Sequence, residues 1–75
     1  MNKSDFLAEL QELLQTDEAI DEATDLTSLE EWDSIAFMVL IAYFDREFSK
    51  KLTFEDLGAC KTPADLISLA QGGIA

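Results

Sequence analysis

Apolar residues follow two different patterns along this chain of 75 residues. From Ser4 onward, Phe6, Leu7, Leu10, Leu13 and Leu14 recur at spacings of three and four, the period of a single buried helical face, while Glu9 and Glu12 fall between them and face water. Ser4 is the expected N-cap and Asp5 suits the positive end of the dipole, so the pattern predicts a first helix from about Ser4 to Gln15. From Ile35 to Phe44, by contrast, every residue is apolar or aromatic. That run is about half of the roughly 20 residues a membrane span needs. It predicts a soluble second helix, ending near Phe48, that is either buried all round or lends one face to a partner.

The head of this second helix is Trp32-Asp33-Ser34-Ile35, and two readings are open there. With Asp33 as N-cap, Trp32 and Phe37 form a hydrophobic staple and Ser34 is the first helical residue with its hydroxyl free. With Ser34 as N-cap, its oxygen is taken by a backbone N–H and the residue is structural. Between Thr16 and Asp33 periodicity fades into a long acidic loop, with Ile20, Leu26 and Leu29 as the expected pins. Asp17, Asp21 and Asp25 are spaced by four and lack the glycine of an EF-hand turn, which argues against calcium.

After Phe48, Lys50 and Lys51 suit the negative end of the helix dipole. Thr53 and Asp56 predict a capping box, with Leu52 stapled to Leu57, for a short third helix stopped by Gly58. Thr62-Pro63 predicts a fourth helix with proline at its first position, Leu66, Ile67, Leu69 and Ala70 on its buried face, and Gly72-Gly73 as its end. No segment alternates as a half-buried strand does. The expected architecture is an all-α four-helix bundle, one domain over residues 1–75, with its long loop between the first two helices.

Charge narrows the partners. The net charge is -11, and eleven of the 16 acidic residues precede Ser34 with Lys3 as their only cation. A field of one sign speeds encounter with basic protein surfaces and repels like charge, so nucleic acid and anionic membranes are disfavoured. There is no histidine, and Cys60 is the single cysteine, so neither a zinc site nor an internal disulfide is expected. The N-terminus lacks the pattern of a secretory signal, which makes the cytoplasm the expected location. A monomer is the expected state. A serine hydrolase built on Ser34 would want a base that this chain does not offer.

Within the second helix, Phe37, Leu40, Ile41, Phe44 and Phe48 make one stripe, and Ile35, Met38, Val39 and Ala42 make another turned away from it. Asp33-Ser34-Ile35 at the head of a long apolar helix, Phe48 closing it, and a short and then a medium helix after it resemble acyl carrier proteins. The resemblance covers essentially the whole chain, including its acidic loop. It implies that Ser34 carries 4′-phosphopantetheine, donated by coenzyme A through a phosphopantetheinyl transferase, and that the arm presents acyl groups as thioesters to acyl-loading and acyl-transfer enzymes. The protein itself would not be an enzyme. Asp33 resembles the aspartate that the transferase reads, and Ile35 the apolar residue that packs on partner enzymes, with Met38, Val39 and Ala42 continuing that surface. Members of the fatty-acid type shelter a chain between their helices, for which Phe37, Leu40, Ile41, Leu57, Cys60 and Leu66 are the matching candidates.

Departures from the family pattern point away from housekeeping fatty-acid synthesis and toward a specialised lipid or secondary-metabolite pathway. Glu31-Trp32 stands where many members have a glycine and a small residue, Ala36 and Val39 stand where the fatty-acid type is acidic, and Arg46 interrupts the usual acidic helix end. Two alternatives differ in class: a carrier of aminoacyl or peptidyl groups, and a small acidic interaction domain without a prosthetic group.

Overall fold

The computed structural model describes residues 1–74. Helix α1 spans Lys3–Leu14, α2 Ser34–Phe48, α3 Phe54–Gly58 and α4 Pro63–Leu69, with one turn of 3₁₀ helix at Leu26–Ser28. No strand occurs among the described residues, and the all-α expectation holds.

Helix α1 starts one residue earlier than its periodicity predicts. Asn2, not Ser4, is the N-cap, its side-chain oxygen accepting the Asp5 N–H at 2.8 Å. Both residue types cap well, and Ser4 lies inside the first turn. Gln15 closes the helix in the left-handed region, at φ 56°. Phe6, Leu10 and Leu14 form its buried stripe.

The central element is α2, which packs on both α1 and α3. Phe6 meets Phe44 edge to face, ring centroids 6.1 Å apart, and Leu40 and Phe44 have no exposure at all. Burial of such a side chain stabilises by about 1.5–3 kcal/mol, so this seam anchors the bundle. Tyr43, outside both predicted stripes, is also buried, its hydroxyl donating to Met1 Sδ at 3.6 Å. Burial, reinforced by the carboxylates of Glu9 and Glu47, pushes its phenol pKa up.

The acidic loop is held in place. Leu26 and Leu29 are buried pins as expected, and Ile20 is half-buried against the same core. Two backbone bonds stitch the loop to the far end of the chain: Leu26 N–H donates to Lys61 C=O at 2.8 Å, and Ala64 N–H to Glu22 C=O at 3.2 Å.

Helix α3 opens with the predicted capping box, Asp56 N–H donating to Thr53 Oγ1 and Thr53 N–H to Asp56 Oδ2. Leu57 is fully buried and Leu52 half-buried against the core. Gly58 does not stop this helix. It is the last helical residue, Ala59 is the C-cap, and no left-handed turn is needed there.

At α4, Pro63 takes the first position after Thr62, and the Asp65 carboxylate accepts the N–H groups of Lys61 and Thr62 at 2.8 and 3.2 Å. Those bonds hold the Asp65 carboxyl below its usual range. Leu66 and Ala70 are buried, with Ile67 and Leu69 half-buried beside them. The helix ends at Leu69 with Ala70 as C-cap, before the glycine pair. What the pair does instead is turn the chain inward: Gly72 sits at φ +93°, and a Cβ on Gly73 would stand 2.7 Å from Phe48 Cδ1. Ile74 thereby reaches the core.

Candidate functional site

Of the two readings at the head of α2, the structure selects the first. Asp33 is the N-cap, in extended backbone, and its Oδ1 accepts the Ala36 N–H at 3.0 Å. Its carbonyl accepts the Phe37 N–H, and its own N–H donates to Glu31 C=O, both at 3.0 Å. The staple forms as predicted, with the Trp32 and Phe37 ring centroids 4.9 Å apart. Ser34 is thus the first helical residue, exposed, and its hydroxyl has no part in the cap.

This division of labour has chemical consequences. An α-helix leaves its first N–H groups without partners in its own ladder, and its dipole places partial positive charge there. The cap meets one of these donors and leaves the Ser34 oxygen at the end of a 15-residue helix, where an anion is favoured. A phosphodiester on that oxygen would need exposure, freedom from the cap and a positive electrostatic end, and all three are present.

Around the serine the sides of α2 diverge. Ile35 is 70% exposed, Met38 62% and Val39 36%, and Ala42 is exposed as well, so the predicted outward stripe faces solvent along its whole length. Ala36 does not belong with it: at 5% exposure it faces α1 and cannot replace a surface acid one turn into the helix. The departure from the acidic pattern on this face therefore rests on Val39. Between the end of α1 and the head of α2 lies an open groove of about 260 Å³ lined by Leu13, Leu14, Gln15, Glu31, Asp33, Ile35, Ala36 and Val39. Its floor is apolar and its rim carries two carboxylates. Arg46 lies three turns away at the other end of α2, its guanidinium 5.6 Å over the Tyr43 ring.

The residues matched to a chain-sheltering space separate into two groups. Leu40, Leu57, Cys60 and Leu66 are buried together in the main core, whereas Phe37 and Ile41 are half-buried at its margin. Cys60 Sγ donates to Asp56 C=O at 3.3 Å, and burial, with Asp65 and Asp56 nearby, pushes its thiol up to about 11. Sequence reasoning missed Phe54, the first residue of α3, which is 49% exposed and meets the Phe37 ring edge to face at 5.8 Å. No local pattern signals its exposure, since Pro63, which likewise follows a capping threonine, is buried.

Among the described residues no group of three or more His, Cys, Asp or Glu is placed to hold a metal ion, and no helix is long and apolar enough to cross a membrane. A family model described as a phosphopantetheine attachment site matches residues 4–70, nearly the whole of the four-helix arrangement. No curated protein and no solved structure matches the chain. The family match makes 4′-phosphopantetheine the covalent prosthetic group and carriage, not catalysis, the general role of such a domain.

Proposed function

We propose, from the premise that this chain belongs to the family of phosphopantetheine attachment sites, that it is an acyl carrier protein whose arm is attached at Ser34. The observation that supports this position most directly is the Asp33 cap, which leaves the neighbouring hydroxyl exposed and unengaged at the helix head. In the loading step the Ser34 oxygen would bond to the phosphorus of coenzyme A. The bond from that phosphorus to the adenosine-bisphosphate half would break, and the hydroxyl proton would pass to a base on the transferase. A chain without histidine needs none of its own for this. When bound, the group supplies a flexible arm ending in a thiol that holds cargo as a thioester.

The rest of the proposal concerns address. Asp33 and the acidic loop supply a negative field that steers basic partner enzymes, among them the phosphopantetheinyl transferase and acyl-transfer enzymes. Ile35, Met38, Val39 and Ala42 supply the apolar contact those partners close upon, a less acidic surface than a housekeeping fatty-acid carrier would show. This favours a dedicated carrier in a specialised pathway.

The test is intact mass after incubation with coenzyme A and a broad-specificity phosphopantetheinyl transferase. A gain of one phosphopantetheine, lost in Ser34→Ala, is expected. Transfer that persists in Ser34→Ala would place the arm elsewhere, and no transfer to the wild-type chain would favour an interaction domain without a prosthetic group.

A further inference from the structure

Three aromatic rings adjoin one another near Ser34: Trp32 and Phe37 form the staple and pack against the core, whereas Phe54 is accounted for by neither the cap nor the core. Trp32 and Phe37, both half-buried, meet at 4.9 Å and 70°, and Phe37 and Phe54 meet at 5.8 Å and 87°. Each contact is of the edge-to-face kind that aromatic pairs prefer. The row begins two residues before Ser34 and ends at the first residue of α3. Leu57 already supplies the buried contact of α3, yet Phe54 adds a large ring and leaves about half of it in water. Ser34 and Phe37 are three residues apart on α2 and so share a face, with Cβ atoms about 5–6 Å apart.

The interior offers a group tethered at Ser34 much less. Leu40, Leu57 and Leu66 have no exposure, and Cys60 has 4%. The open grooves along α1, at the α1–α2 junction and against the C-terminal turn are lined neither by these four residues nor by Trp32, Phe37 and Phe54, so the three rings offer a surface and not a pocket.

We propose that the row Trp32–Phe37–Phe54 is an external shelf for the cargo of the arm, and that the cargo it fits is a short acyl group ending in an aromatic ring. A fourth ring extends the edge-to-face series across Phe37 and the open side of Phe54, whereas a long alkyl chain would overrun three rings and lie in water. The tether raises the local concentration of the ring to roughly millimolar, so a weak and reversible contact is enough to populate the shelf. A partner enzyme can then lift the cargo without opening the bundle. This inference rests on attachment at Ser34.

The experiment loads the full chain from benzoyl-coenzyme A or acetyl-coenzyme A with a broad-specificity transferase and confirms each product by intact mass. Trp32 is the only tryptophan, so its emission reports the shelf directly. Expected with the benzoyl arm are a shift of Trp32 emission to shorter wavelength and displaced ring resonances of Phe37 and Phe54, with the methyl resonances of Leu40, Leu57 and Leu66 unmoved. The acetyl arm should leave the emission near that of the unloaded chain. Phe54→Ala, at an exposed position, should keep the mass gain and the helical circular dichroism but lose most of the benzoyl-induced shift. Unchanged emission in correctly loaded protein, an equal response to acetyl, persistence of the shift in Phe54→Ala, or movement of the core methyls would each overturn the shelf and leave attachment standing. Failure to gain mass would overturn both.

Discussion

The two sides of α2 are built from the same kinds of residue and do opposite things. On one side Ala36, Leu40, Tyr43 and Phe44 are almost wholly withdrawn from water; on the other Ile35, Met38, Val39 and Ala42 stand in it. Hydropathy does not distinguish them. What does is angular position relative to α1 and α3, because only one arc of the helix finds a neighbour. A helix of this length could have been given a polar outer side without loss to the bundle. An exposed apolar patch adds nothing to a lone chain's stability, and this supports the proposal that partner enzymes close upon the outer side.

The contrast is open to direct attack. Leu40→Ala should produce the largest change, a loss of about 2–5 kcal/mol from the emptied volume at a fully buried site, read from urea or thermal unfolding. A loss under about 1 kcal/mol would mean that the inner side is not the anchor it is taken for. Asp33→Ala should cost about 0.5–2 kcal/mol by removing the cap, while Asp33→Asn, which caps as well, should nearly preserve stability. If the carboxylate is also read by the transferase, both variants load slowly; normal loading of Asp33→Asn would restrict Asp33 to its structural part.

An acid titration probes the other end of the chain. Because the Asp65 carboxyl is held low by the N–H groups of Lys61 and Thr62, its contribution to stability is complete above the ordinary carboxylate range near pH 4 and is lost as pH falls through its lower folded value. Asp65→Asn should therefore melt lower than wild type at neutral pH and lose less on acidification, and parallel curves would contradict this. The smallest change in stability, within about 0.5 kcal/mol, is expected for Val39→Glu on the outer side. Its effect should appear instead as slower turnover by the chain's own acyl-loading enzyme, and unchanged turnover would sink the apolar-contact reading.

Much of the site was legible because it is local. The Asp33 cap, the Trp32–Phe37 staple and the Thr53–Asp56 box each join residues three to five apart, and side-chain type decides them. The same is true of the outward stripe, whose spacing follows from the helical period alone. Features that escaped are of other kinds. A 3₁₀ turn of three residues at Leu26–Ser28 is too short to carry a period. The stitches from Leu26 to Lys61 and from Ala64 to Glu22 are made by backbone atoms, which have no side-chain signature. Family analogy puts Ala36 on the surface in place of an acidic residue, whereas it is buried and lines a groove with Leu13 and Leu14 of α1. Tyr43 lies in neither predicted stripe, yet it is buried, and the close approach of Gly73 to Phe48 depends on a tertiary contact no local pattern reveals.

Cys60 carries a consequence of a different sort. Acyl groups held as thioesters migrate to competing thiolates, and a carrier with a reactive cysteine of its own would risk stranding its load on the wrong sulfur. Here the only cysteine is 4% exposed, engaged with the Asp56 carbonyl, and protonated until about pH 11. At neutral pH almost none of it is thiolate, the form that attacks. A chain bearing the unacylated arm would therefore contain two thiols, of which Cys60 is buried and protonated, so that the protein's own sulfur neither diverts the cargo nor blurs the labelling of the arm.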